Sequence, residues 1–517
     1  NIFTSVYRNF VRKPTTNLIN LIGLSVSLAL VIILSVYSYS ELTTDNYHKN
    51  GDRVYLFAEM GSKMHMPGIL KDQIDLNIPE AESTVMMANT WETPVFQVGD
   101  NEPITSDLVF ADEDFFHLFT YRQVEGNLET SLKEPMTVVL TKNLAKKLFG
   151  NEPALGKTVK LNNDKELTVS AVIHEPEANS SLSFSAISSI ATRKIVLPAD
   201  GEFTEWGWCS FLTFILLKEG TDPDQTAKKI VALFPKNDQA KYAELRLNPF
   251  EKIYFSNFAL GGTNFLHCGD RRKVMILVMV AALVLMIALV NFVNISSSQW
   301  MEKIRQTGVL KVFGAGRTFI LKNILSEAFI LFLMSLFLAI LIVQAFLPFI
   351  SSITGIHFNT QLLYKPSFLM VSIAITFILS MVFSIIPAIR ISSSKAVDNL
   401  KKTVTWGSEN SFSQGLLVTT QFVIAIVLIA FTILVQKQVN FGSSKLGFYQ
   451  KNIIGIKLTP QLNGKKEVLK KLLQDEPAVS NISFTNYYPG NMLSNWRTVQ
   501  EINGVRKELS FDLFNAD

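Results

Sequence analysis

The chain has 517 residues, 48% of them hydrophobic, with a mean hydropathy of +0.25 and a formal net charge of +4. That balance is unusually apolar for a soluble protein and ordinary for a membrane protein with a large aqueous domain. It gives no reason to expect a nucleic-acid partner. Only two cysteines, Cys209 and Cys268, are present.

Five apolar stretches punctuate the chain, at 18–39, 274–295, 324–347, 368–389 and 416–436. Each is close to the ~20 residues that a helix needs to cross a ~30 Å hydrocarbon layer. The segment 1–17 before the first carries Arg8, Arg12 and Lys13 and no acid. The first stretch is too long for the core of a cleaved signal peptide, and no small-residue cleavage site follows Ser38, Ser40 and Glu41. Gly23, Ser27 and Ala29 on it predict close helix packing.

The block 40–273 comes next. From Glu41 to Asp270 it holds 33 acids against 21 Lys and Arg, a net of −12. Its texture is α+β. "MTVVLTKNLAKKLFG" reads as a strand, then a short amphipathic helix from Lys142 that Gly150 closes. "GKTVKL" and "ELTVSAVIHEP" are alternating strands joined by the turn "NNDK". "TAKKIVALF" is a helix with one apolar face. Phe211–Leu217 is a buried strand, too short to span as a helix. Cys209 and Cys268 either pair or stand as two separate thiols. Arg271, Arg272 and Lys273, at the outer end of the second stretch, are expected to snorkel to headgroups.

The second stretch carries Asn291 and Asn294, three apart on one face, which predicts hydrogen bonds to a neighbouring helix. Segment 296–323 then sets Lys303, Arg305, Lys311, Arg317 and Lys322 against Glu302 alone. In the third stretch Glu327 lies about one turn in. A central carboxylate opposes insertion by about 2.5–3.5 kcal/mol, which the run Phe329–Phe346 outweighs. No chain of ionisable partners accompanies it, so Glu327 reads as an interfacial or helix-packing group and not as a proton relay. A short loop, 348–367, leads to the fourth stretch, which has Pro387 near its end. Segment 390–415 sets Arg390, Lys395, Lys401 and Lys402 against Asp398 and Glu409. The fifth stretch precedes 437–517. The positive-inside rule places 1–17, 296–323 and 390–415 in the cytoplasm, and the acidic block, the short loop and the tail outside.

Catalytic and cofactor signatures are sparse. The six histidines are scattered singly, without metal-ligand spacing. No Ser/His/Asp or paired-carboxylate pattern stands out. "GNEPALGKT", Gly150 to Thr158, only mimics a phosphate loop. It has five residues between the glycines where four are needed, and Pro153 removes an N–H donor. It reads as a helix cap followed by a turn into a strand.

Several segments carry a family resemblance. "MTVVLTKNLAKKLFGNEPALGKTVKL" with "LTVSAVIHEPEANSSLSF" resembles the core of the MacB-like periplasmic domain, and "DEDFFHLFTYRQVEGN" resembles what precedes it there. "NLINLIGLSVSLAL" and "DNYHKNGDRVY" are similar to the first span and outer exit of FtsX/MacB-type ABC permeases. "ALVNFVNISSSQ" and "EKIRQTGVLKVFGAGR" resemble the second span and cytoplasmic helix of the FtsX-like permease domain. "PAIRISSSKAVDNLKK" is similar to the close of its fourth span, with Ala396 where such chains often carry Pro.

The resemblance implies a multi-pass α-helical membrane protein with a large α+β extracytoplasmic domain, in the inner membrane. It also implies a four-span unit followed by the start of a second repeat. "LGFYQKNIIGIKL" echoes "DNYHKNGDRVYLF", each leading from a polar linker into a short apolar strand. The whole looks like a fragment of the duplicated, eight-span form common in Bacteroidota, acting as a dimer or as a pseudo-dimer of its repeats. The expected partners are a separate cytoplasmic ABC ATPase holding ATP and Mg, the bilayer, and a periplasmic adaptor or effector. No cofactor is expected in this chain. Segment 297–317, a short helix that Gly314 can cap in αL, would be the coupling helix, with Glu302, Arg305, Gly308, Leu310, Lys311 and Gly314 as docking residues and Ile304 and Val312 adding apolar surface. Gly23, Asn291, Asn294, Glu327 and Pro387 would serve polar and packing roles within the spans. Two other classes stay open: a transmembrane sensor, and a membrane-anchored extracytoplasmic enzyme.

Overall fold

The computed structural model describes residues 14–59, 64–90, 94–162, 164–256, 265–298, 300–354, 363–393, 411–444, 453–456, 458, 462, 464–485, 494–502 and 505–513. The basic residues Arg8, Arg12 and Lys13, and Lys395, Ala396, Asp398, Lys401, Lys402 and Glu409, lie outside them. Two compact units separate. One is Thr43–Asp270 with 451–517, and the other is the segment ending at Leu42 with 271–450.

The first unit is built on a mixed sheet. Its path runs β13 (Arg246–Pro249), β1 (Val54–Ala58), β12 (Cys209–Leu217), β3 (Ala81–Asn89), β6 (Leu108–Ala111), β11 (Ala186–Ser189), β8 (Thr137–Thr141), β10 (Lys165–Ile173), β9 (Thr158–Leu161), β4 (Val95–Gln97) and β5 (Ile104–Thr105). β2 (Met66–Pro67) pairs with β12, and β7 (Gln123–Gly126) with β10. The β8–β10 and β6–β11 pairs are parallel. Phe211–Leu217 is apolar without alternation because both faces of β12 are covered. Leu212, Phe214 and Leu216 enter one core, while Ile215 and Leu217 enter another beneath the helices Ile69–Asn77 and Pro223–Val231.

The helix expected at "TAKKIVALF" begins earlier, at Pro223, and ends at Val231. The cap decides this. Asp222 Oδ1 accepts from the N–H groups of Asp224 and Gln225, with Pro223 at the first helical position. The helix Lys142–Phe149 does end on Gly150, at φ +68°, and the chain turns from there into β9. No disulfide joins the cysteines. Cys209 Sγ lies 4.0 Å from the Tyr242 hydroxyl, and Cys268 Sγ lies 3.7 Å from the Ile253 carbonyl.

The segment that follows Leu42 is sewn into this unit. Asp45, at φ +64°, donates its N–H to Asn179 O, and its Oδ1 accepts from Ser181 N–H at 2.8 Å. His48 Nδ1 accepts from Thr120 N–H at 2.9 Å, within a ring cluster of Tyr47, Phe119, Tyr121 and Phe250. Burial raises the Asp45 carboxyl to about 6 and lowers the His48 imidazole to about 4.

In the tail, Ile453–Ile456 forms no strand among the described residues, contrary to the expected echo of β1. β1 is held between β12 and β13, which lie more than 150 residues further along the chain, and no such partners flank Ile453–Ile456 among the described residues. The tail instead has a helix, Lys466–Gln474, and a hairpin of β14 (Ser494–Ile502) and β15 (Val505–Leu513).

Among the described residues, the second unit holds five helices long and apolar enough to cross a membrane: Pro14–Leu42, Arg271–Ser298, Arg317–Thr354, Pro366–Ser393 and Ser411–Ser444. The first three share a core that includes Leu28, Ile32, Phe292, Phe332 and Leu336, with Phe292 edge-on to Phe332 at 4.9 Å. The fourth packs on the third, and the fifth touches the second.

Candidate functional site

Between the second and third apolar helices lies a 13-residue helix, Trp300–Val312. Its stop is written in the sequence. Gly314 takes φ +89°, Gly314 N–H donates to Lys311 O, and Ala315 N–H donates to Leu310 O. These two bonds form a Schellman cap that only a residue at ease with positive φ completes without strain.

Ile304, Thr307, Gly308 and Lys311 recur at helical spacing and form its inward stripe. Ile304 packs with Ile391 of the fourth apolar helix and Ile324 of the third. Lys311 Nζ donates to Ser392 O at 2.8 Å. Burial, with repulsion from Arg317, lowers the Lys311 pKa. Lys303, beside the stripe, pairs with Glu327 at 2.9 Å. The other side is bare: Val309, Leu310, Val312 and Phe313 are exposed, Phe313 at 85%.

The Lys303–Glu327 pair opens on a small cavity of about 60 Å³, lined also by Asn17, Asn20, Ser384 and Pro387. Asn20 Oδ1 and Ser384 Oγ are buried there without a protein partner. Pro387 has no N–H, so the Phe383 carbonyl one turn back loses its helical donor. The cavity is polar and large enough for a water molecule.

The structure distributes the expected site residues as follows. Gly308 and Lys311, expected to dock a partner, turn inward, as does Ile304. Leu310 stays outward and Gly314 forms the cap. The side chains of Glu302 and Arg305 lie outside the described residues. Glu327, expected as an interfacial or helix-packing group, pairs with Lys303, 24 positions away in sequence, where periodicity gives no signal. Asn294 Nδ2 lies 3.5 Å from Gln421 Oε1 of the fifth apolar helix. A Cβ on Gly23 would meet Asn291 Nδ2 of the second apolar helix at 3.8 Å, an ordinary van der Waals contact, so Gly23 and Asn291 face each other there. Phe313 and Val309 were not among the expected docking residues. Their signal was present, as two large apolar residues in a basic linker.

A multi-pass membrane protein with a large α+β aqueous domain is the class that these features define. Residues 18–233 match the MacB-like periplasmic core domain, and residues 278–396 match the FtsX-like permease C-terminal domain. The chain therefore carries a MacB-like periplasmic core domain followed by an FtsX-like permease domain, families whose members generally partner with cytoplasmic ABC ATPases. Among solved structures it is similar to a domain described as that of a permease protein from Porphyromonas gingivalis (19% identity, 45% of this chain and 99% of that one, TM-score 0.34). It is also similar to the periplasmic region of MacB from Actinobacillus actinomycetemcomitans (15%, 39% and 91%, TM-score 0.31). A third likeness is to the extracellular domain of the noncanonic ABC-type transporter YknZ from Gram-positive bacteria (13%, 36% and 94%, TM-score 0.28). No curated protein matches the chain.

Proposed function

We propose that this chain is the membrane subunit that passes ATP-driven motion from a separate cytoplasmic ATPase to its outer domain, with the helix Trp300–Val312 as the docking point. The supporting observation is the division of that helix. One side is pinned to the third and fourth apolar helices by Lys303–Glu327, Lys311–Ser392 and Ile304–Ile391. The other offers Val309, Leu310, Val312 and Phe313 to a partner. A push on the bare side therefore reaches two membrane helices at once. In this reading the N-terminus and the basic linkers face the cytoplasm, and 40–273 faces outward. The ATPase holds ATP and Mg, and this chain hydrolyses none. The first three spans share an apolar core, which favours transmission of force over a wide polar conduit. The outer domain then works on a periplasmic partner or expels an amphipathic substrate.

The test is a double substitution, Leu310→Asp with Phe313→Asp. Both side chains are exposed and lie outside the apolar spans, so insertion should be unchanged. Loss of two apolar interface anchors is expected to weaken ATPase co-purification by roughly 30-fold or more. If the helix only rests on anionic lipid, ATPase capture persists and lipid affinity alone falls. Wild-type capture of the ATPase by the double variant would remove the docking role.

A further inference from the structure

The first and fourth apolar helices both pack on the third but scarcely on each other. Between them runs a trough of about 590 Å³. Leu28, Ile32 and Val36 of the first helix and Leu336 of the third form its buried floor. Small side chains keep it open: Ser35 on one wall and Ser372 on the other. The first-helix wall runs from Leu28 to Tyr39, which at 1.5 Å per residue is roughly 16 Å. That is about half of a ~30 Å hydrocarbon layer, the depth of one leaflet.

The two walls are antiparallel, so Tyr39 at the end of one and Lys365 at the start of the other share a mouth. Among the described residues no carboxylate pairs with Lys365. It immediately precedes Pro366, the first residue of a 28-residue helix whose free N–H groups also favour an anion. The trough is thus apolar along one leaflet's depth and cationic at that leaflet's edge.

We propose that this trough is a binding site for one anionic phospholipid, with an acyl chain along Leu28–Val36 and the phosphate at Lys365. The outer leaflet follows from the orientation proposed above; the site itself does not depend on it. A lipid here would wedge between two helices that the third holds together, and so would set how the fourth helix moves against the first.

The experiment uses the full chain, delipidated in detergent and examined by native mass spectrometry. Phosphatidylglycerol and phosphatidylcholine of the same acyl composition are added back in turn. The wild type is expected to retain one phosphatidylglycerol in preference to phosphatidylcholine. Ser372→Trp fills the trough and should abolish retention of either, and Ser35→Leu provides a milder second variant should the first fail to fold. Lys365→Glu should keep the acyl contact and lower phosphatidylglycerol affinity roughly fivefold. Inorganic phosphate should not compete. The proposal is overturned if both trough-filling variants retain lipid like the wild type, or if the wild type does not distinguish the two headgroups. It also falls if inorganic phosphate displaces the lipid, or if a second copy of the chain occupies the trough, read as a dimer that Ser372→Trp dissociates. Lys365→Cys in a cysteine-free background, labelled only from the cytoplasmic side, would move the site to the other leaflet and refute the orientation while leaving the binding result intact.

Discussion

Arg193 in the aqueous unit and Lys303 in the membrane unit each hold one carboxylate, in opposite surroundings. Arg193 Nη2 lies 2.7 Å from Glu202 Oε1, with side-chain exposures of 2% and 1%. Arg193 also donates to Asn89 O and sits 5.7 Å from the ring centres of both Phe110 and Phe211. Lys303 lies 2.9 Å from Glu327, but with exposures of 25% and 19%, beside a polar cavity. The first pair is closed off from water, so removing one partner strands a charge. The second has solvent at hand, so it can separate and re-form at small cost. One region is built to keep a single arrangement. The other leaves its pair within reach of water, at the place where a connecting helix meets two apolar helices.

The largest expected effect breaks the closed pair. Arg193→Ala leaves Glu202 buried without its cation and should destabilise the aqueous unit by about 3–5 kcal/mol. Tryptophan fluorescence of the full chain in denaturant reads this, since Trp206 and Trp208 belong to the same unit. Arg193→Met with Glu202→Leu removes both charges and should recover most of the loss. A single variant as stable as the wild type would mean that the pair is not closed.

The open pair should behave differently. Lys303→Ala or Glu327→Gln should cost only about 1–2 kcal/mol, between surface and buried values. Insertion and folding should survive, while ATPase activity ceases to respond to the membrane subunit. Exchanging the charges, Lys303→Glu with Glu327→Lys, should restore that response. Failure of the exchange alongside intact ATPase binding would show that the pair is structural only.

Much of this contrast was invisible in the sequence, for a physical reason. Periodicity reports neighbours along one element, so the apolar stretches and the strands around Lys142–Phe149 were legible. The cap at Gly314 was legible too, because a glycine ending a helix has a local cause. The Lys303–Glu327 and Arg193–Glu202 pairs are made by tertiary packing, which no local pattern records. Asp222 and Pro223 signal the early start of their helix, and Asn503–Gly504 between two alternating runs signals the β14–β15 hairpin; both cues are local. The orientation of Gly308 and Lys311 needed the partner helices, because a basic stripe looks the same whether it faces solvent or a carbonyl.

The smallest effect concerns pH, and it tests whether the closed character of the aqueous unit extends to its first residues. Asp45 and His48 are both fully buried as side chains, and their shifts oppose each other. Folding raises the Asp45 carboxyl from 3.8 to about 6, so the folded state holds a proton that the unfolded chain has released. Its contribution to stability therefore falls as pH rises through that window. Folding lowers the His48 imidazole from 6.5 to about 4, so the unfolded chain holds the extra proton. Its contribution rises with pH over 4 to 6.5. Each carries at most about 1.4 kcal/mol per pH unit, and between about 4 and 6 they nearly cancel. Asp45→Asn should unmask His48, so that the variant loses stability on acidification from 6.5 towards 4 more steeply than the wild type. His48→Gln should do the reverse and gain stability, relative to the wild type, as pH falls from 6. Melting of the full chain at pH 4.5, 5.5 and 6.5 reads both slopes. Parallel slopes for the two variants would mean that water reaches the cluster, and that the aqueous unit is closed around Arg193 but not at its beginning.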